Sequence, residues 1–186
     1  MAPSDSPFTE TLPAGSKFYQ SFRRFVVVQG TSVPGSPLYM GWSNGSRFNS
    51  PNELFGVTYL AESPAGAFLE TFIRSPGIAG YSMKDVNDRR LAIIASTEAL
   101  TLVKCYGNGL KRNGLTASVS STDNSEYHAS QNKSESWYLD SSADGVIYMS
   151  RLDNQIRCIA LYDRAEQKVE VVRMMDWDDF SDFYDI

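Results

Sequence analysis

Arg47, Tyr59, Glu70, His128 and Ser150 are the residues whose types and surroundings could support chemistry in this sequence. Arg47 lies in a polar turn, Gly45-Ser46-Arg47-Phe48-Asn49-Ser50-Pro51. Its guanidinium is always charged and presents a fork of donors that fits a phosphate or a carboxylate. Glu70 follows Ala67-Phe68-Leu69. A carboxylate among apolar neighbours is the raw material of a tuned acid, base or electrostatic stabiliser. Tyr59 is embedded in the apolar run Val57-Thr58-Tyr59-Leu60-Ala61, and Ser150 closes the run Val146-Ile147-Tyr148-Met149. His128 is the only imidazole, the side chain that titrates near neutral pH when unperturbed. Folded together, the arginine, the tyrosine and the glutamate would make a pocket for an anionic, sugar-bearing ligand. Each residue also has a plainer reading. Loop arginines and helix glutamates are usually solvated, and a strand tyrosine is usually core. A strand-end serine usually caps a turn, and a helix-face histidine usually has no chemical duty.

The elements that must position these residues can be read in outline. Phe18-Tyr19-Gln20-Ser21-Phe22 alternates large apolar and polar residues and predicts a first strand. The β-branched run Phe25 to Val28 extends or follows it. Gly30 to Gly45 is dense in Gly, Pro, Ser and Asn and reads as a long loop. Val57 to Ala61 predicts a short buried strand. Ser63 is then a good N-cap and Pro64 suits the first helical position. Phe68, Leu69, Phe72 and Ile73 recur at helical spacing until Pro76-Gly77 stops the helix. Leu91 to Ala95 and Leu100 to Tyr106 read as strands joined tightly around Thr97-Glu98. Gly107 to Ser121 reads mostly as loop, and Asn124 to Asp140 as a weakly patterned amphipathic helix. Val146 to Ser150, Ile156 to Tyr162 and Val169 to Val172 complete the strands. This order predicts an α+β fold, a compact mixed or antiparallel sheet with a few flanking helices. The predicted boundaries are a flexible N-terminal arm over 1–15, one folded domain over 16–175, and an acidic aromatic tail over 176–186.

Composition narrows the classes. A chain of 186 residues supports one well-buried core, and 42% apolar with 21% charged residues is the balance of a soluble globular protein. A net charge of −5 argues against a nucleic-acid footprint, which needs a basic face. No apolar run approaches the roughly 20 residues that span a bilayer, so no membrane partner is expected. The first fifteen residues lack the basic start and apolar middle of a signal peptide. Cys105 and Cys158 are too few for a disulfide scaffold, which points to a reducing cytoplasm. With one histidine and two isolated cysteines, no metal site is expected. There is no Gly-x-Ser-x-Gly elbow, Walker loop or Gly-x-Gly-x-x-Gly.

The linear order of the pieces adds what their spacing does not. An Arg-Phe-Asn-x-Pro turn is followed by Tyr-Leu-Ala-Glu-Ser-Pro, then by Phe-Leu-Glu-Thr, and much later by Asp-Gly-Val-Ile-Tyr-x-Ser-Arg. From about Phe18 to Tyr162 this resembles the RES-domain family. The resemblance implies a fold related to the ADP-ribosyltransferase toxins. It implies NAD+ as substrate, with cleavage between nicotinamide and ribose to water or phosphate, or transfer of ADP-ribose to a protein. It also implies a toxin blocked by a cognate antitoxin. Carried over residue by residue, Arg47 matches the family arginine, Tyr59 the tyrosine of the Tyr-Leu-Ala strand, Glu70 the helix glutamate and Ser150 the serine. Glu70, Arg47 and Ser150 are thus the candidate catalytic set, with Arg47, Phe48, Tyr59, Gln20 and His128 as candidate NAD+ contacts. His128 or Ser130 stands where members often have a serine.

There is one departure from the family pattern. Many members carry a Tyr-Arg pair in the first strand, and here it reads Tyr19-Gln20. Glutamine cannot neutralise a diphosphate, so either another arginine compensates or the protein holds a nucleotide with weakened turnover. Trp177 to Tyr184 serve core packing or self-association as a homodimer.

Overall fold

The computed structural model describes residues 6–73, 80–121 and 127–178. Eight of its strands form one sheet. They are β1 (Thr9–Leu12), β2 (Lys17–Arg23), β5 (Val57–Ala61), β6 (Arg89–Ser96), β7 (Leu100–Cys105), β8 (Gly145–Met149), β9 (Arg157–Tyr162) and β10 (Val169–Asp176). The order across the sheet is β1-β7-β8-β9-β5-β2-β6-β10, and β7–β8 is its one parallel pair. β3 (Phe25–Val28) and β4 (Thr31–Pro34) make a separate hairpin. The helices are α1 (Pro64–Phe72), α2 (Met83–Asn87), α3 (Asn108–Arg112), α4 (Ser118–Ser121) and α5 (His128–Asp140). The α+β class read from the sequence is the class observed.

Each strand's alternation feeds two apolar layers. One layer is built by strands and loops, including Phe18, Leu60, Ile94, Leu102, Ile147, Ile159 and Leu161. These come from both ends of the strand order, so the sheet curls over its own inner face. The other layer receives helix residues, among them Ala67 and Phe68 of α1 and Trp137 of α5, against Val146, Cys158 and Tyr162. The curl explains the link between β6 and β7. The short connection read from the sequence is present as residues 97–99, but the two strands it joins do not pair. β6 sits between β2 and β10, and β7 between β1 and β8.

Other differences have local causes. Thr9–Leu12, placed by sequence in a loose arm, is an edge strand on β7. Its Glu10 is paired with Lys104 and Arg157. The stretch read as loop after Gly107 contains α3 and α4, with Gly107 at positive φ leading into α3. At the start of the predicted tail, Trp177 is buried edge-on against Phe68 and Phe72 of α1, at 5.4 and 5.6 Å. The rest of that tail from residue 179, and the helix-stopping Pro76-Gly77, lie outside the described residues.

One irregularity in the sheet positions the site. β2 and β5 are neighbours but share a single register pair, Tyr19 with Ala61. At the far end of β5, Val57 is bridged instead by Gly41. Between those points the two strands diverge and leave a window.

Candidate active site

The window opens into a cleft of about 890 Å³. Gln20 and Ser21 of β2, Thr58, Tyr59 and Leu60 of β5, and Glu70 of α1 line it, along with Arg47, Arg89, Arg151 and Tyr127. The Gln20 Nε2–H donates to Thr58 Oγ1 across the gap at 3.1 Å, while Gln20 Oε1 is buried with no hydrogen-bond partner. Tyr148 and Cys158 also line the cleft.

Glu70 is delivered by α1. Ser63 Oγ accepts the Gly66 N–H at 3.0 Å, Pro64 occupies the first turn, and the helix packs its apolar face on the sheet. The carboxylate is then fixed by a second element. Ser150, 3% exposed at the end of β8, donates its hydroxyl to Glu70 Oε1 at 2.5 Å. Ser150 Oγ in turn accepts the Leu152 N–H at 3.1 Å. Ser150 is not itself a lining residue, so it stands behind the carboxylate.

Arg47 is delivered by a turn that is bonded on several sides. Tyr59 Oη accepts the Phe48 N–H at 2.9 Å and donates to Asn49 Oδ1 at 2.8 Å. Burial pushes the Tyr59 phenol above its ordinary range, which keeps this hydroxyl a donor at neutral pH. From α5, Gln131 donates to the carbonyls of Asn44 and Ser46. Ser134 donates to the Phe48 carbonyl at 2.7 Å, and Glu135 accepts from Ser50 and Asn52. Arg47, 8% exposed, donates to the Val119 carbonyl at 3.4 Å, with its guanidinium 5.2 Å from the centre of the Tyr127 ring.

The fold therefore brings together Arg47, Tyr59, Glu70 and Gln20 in one cleft, with Ser150 bonded to the glutamate. Two expected contacts are placed elsewhere. The Phe48 ring is fully buried against Tyr148, at 4.9 Å between centres, and does not line the cleft. Its aromatic character serves the core, and Tyr127 is among the aromatic residues that line the cleft. His128 is exposed on the first turn of α5 and is also not a lining residue. Ser130 donates to the Tyr127 carbonyl within that turn.

Arg89 and Arg151 also line the cleft, outside the candidate set that the sequence motifs define. Arg89 opens a strand whose two faces are both apolar further on, so alternation gives no hint of its duty. Arg151 is adjacent to Ser150, and that adjacency was the available clue. Cys158 lines the cleft, but burial, with Glu70 and Glu62 nearby, holds its thiol well above the usual range. It is a thiol rather than a thiolate at neutral pH and a poor nucleophile.

The lining contains three arginines and one carboxylate, in a chain of net charge −5. An α+β protein with a curled, mostly antiparallel sheet and a cationic cleft around one fixed glutamate is what the geometry defines. The family model of the RES domain matches residues 31–180, and the chain belongs to that family. A solved structure described as the M. tuberculosis MbcT–MbcA toxin–antitoxin complex contains a chain similar in fold. The TM-score is 0.65 and the identity 18%, over 89% of this chain and 86% of that one. No curated protein matches the sequence. Among the described residues there is no cluster of three or more metal-ligating side chains, and no helix is long and apolar enough to cross a membrane.

Proposed function

We propose that the cleft binds NAD+ and cleaves the bond between nicotinamide and ribose. The observation that carries this reading is the Glu70 carboxylate, held by the buried Ser150 hydroxyl inside an arginine-lined cleft. As the C–N bond lengthens, its electron pair goes to the nicotinamide nitrogen, which leaves as a neutral base. Positive charge grows on the ribose, and a fixed carboxylate beside C1′ stabilises that oxocarbenium character. The acceptor oxygen then bonds to C1′ and releases its proton to solvent. Arg47 grips the diphosphate by charge-assisted hydrogen bonds. Tyr59 holds the Arg47 turn, and Ser150 aims the glutamate.

The family membership and the similarity to a toxin–antitoxin complex support a toxin role with a protein antitoxin as partner. The test is incubation of the purified protein with NAD+, with and without phosphate, reading free nicotinamide. Wild type is expected to release it, and Glu70→Gln to lose about 10²–10³-fold in rate. Equal release by both proteins, or none from wild type, would sink the cleavage reading. A second reading, binding without turnover, is favoured by the uncharged Gln20 at the window. Calorimetric NAD+ binding with no nicotinamide released would select it.

A further inference from the structure

We propose that Arg89, at the start of β6, is the second cation that holds the ligand's diphosphate, supplying from the neighbouring strand the positive charge that β2 does not. The inference rests on the nucleotide reading of the cleft. A diphosphate brings two negative charges, and Glu70 adds a third to the same cleft. The positive nicotinamide ring of NAD+ can offset the glutamate, but a single arginine such as Arg47 leaves the two diphosphate charges half matched. Gln20 offers an amide that is already bonded to Thr58.

The sheet explains why Arg89 is placed for this. Its backbone lies opposite Arg23 of β2, two residues along from the pair Ser21 and Leu91, so it shares a face with the cleft residue Ser21. The adjacent Arg90 points the other way, and Asp176 binds it together with Arg24. Arg89 lines the cleft, its guanidinium carbon 5.9 Å from the centre of the Phe72 ring of α1. It also lines a smaller adjoining pocket of about 260 Å³ with Arg23, Thr71 and Ser82, so positive charge continues past the carboxylate. Asp85 is the acidic member of that pocket. Arg151 lines the cleft too, but on the irregular segment between β8 and β9. Arg89 is the first residue of a regular strand and its backbone pairs with Arg23 of β2, which fixes where the side chain starts before any ligand arrives.

The experiment compares binding of ADP and of adenosine by calorimetry to wild type, Arg89→Gln and Arg89→Lys, with thermal melts of all three. Arg89→Gln is expected to weaken ADP at least tenfold and leave adenosine unchanged, while Arg89→Lys keeps most of the ADP affinity and the salt dependence. Unchanged ADP affinity in Arg89→Gln, equal loss of ADP and adenosine, or no ADP binding by wild type would each overturn the proposal. If Arg89→Gln is too unstable to measure, an Arg89→Lys protein whose ADP affinity ignores salt overturns it as well. Nicotinamide release measured in parallel separates the two readings. A protein that binds ADP through Arg89 but leaves NAD+ intact keeps this assignment and removes the cleavage reading. A protein that cleaves NAD+ with KM indifferent to Arg89→Gln does the reverse.

Discussion

At the scale of single residues, the serine and the glutamate have unequal roles. Glu70 faces the cleft, whereas Ser150 is buried behind it, so on the proposed reading it would act on a ligand only through the carboxylate it bonds. Ser150→Ala should therefore lower kcat by roughly 10- to 100-fold with little change in KM, because a carboxylate displaced by about an ångström loses alignment rather than charge. Ser150→Thr, which keeps the hydroxyl, should recover part of the loss. A KM effect as large as the kcat effect would mean direct contact with the substrate. The motif order made Arg47, Tyr59, Glu70 and Ser150 legible as a set, but not which of them touch the cleft. Phe48 and Tyr127 show why. Both are aromatic residues next to candidate positions, and only the path of the backbone through the turn decides that one ring enters the core and the other the wall.

At the scale of elements, α5 is the least legible and among the most consequential. Its buried positions are Ser130, Gln131, Ser134 and Trp137, so the face it presents inward is largely polar and the helical pattern is faint. Those polar groups bond the turn that carries Arg47. Ser134→Ala should leave the buried Phe48 carbonyl without that donor and cost about 1–3 kcal/mol. That corresponds to roughly 2–4 °C in Tm per kcal/mol for a domain of this size, checked by calorimetry. Helix α1 was legible from Ser63, Pro64 and its apolar spacing, but not the reason for Gly66. A Cβ there would come 2.6 Å from Ile156 Cγ2 and 3.0 Å from Ala61 Cβ. Gly66→Ala should thus destabilise the protein and lower activity, although alanine is the better helix former by about 1 kcal/mol. Ile156→Ala in the same chain should restore part of the activity. On β10, Arg24 and then Arg90 hold the Asp176 carboxyl below its ordinary range. A depressed folded pKa stabilises above the unfolded value, near 3.9, and that gain is lost as pH falls through the folded one. The Tm difference between wild type and Asp176→Asn should be present at pH 7, small because the carboxylate is 42% exposed, and should shrink as pH falls below the unfolded value and through the lowered folded one.

At the scale of the whole molecule, charge is segregated. The cleft gathers three arginines around one glutamate while the chain carries −5 overall. At contact range the local cations outweigh the dispersed negative charge, and walls of low dielectric focus their field. Binding of ADP should weaken severalfold as ionic strength rises from about 10 to 150 mM, over which the screening length falls from about 30 to 8 Å. Adenosine binding should not respond. Fold class was readable from the sequence because strand and helix segments are strongly apolar. Strand order was not, because β6 and β7 are adjacent in the chain yet far apart in the sheet.

The single rung between β2 and β5 also has a mechanical meaning. It leaves β1-β7-β8-β9-β5 and β2-β6-β10 as two plates joined in the sheet along a short seam, and a ligand bound in the window, as proposed, would touch both. Such a ligand acts as a rivet. Its binding free energy becomes cohesion between the plates, about 2.7 kcal/mol at a hundredfold excess over Kd. Amide hydrogen exchange at Ser21 and Tyr59 should slow together when the window is filled.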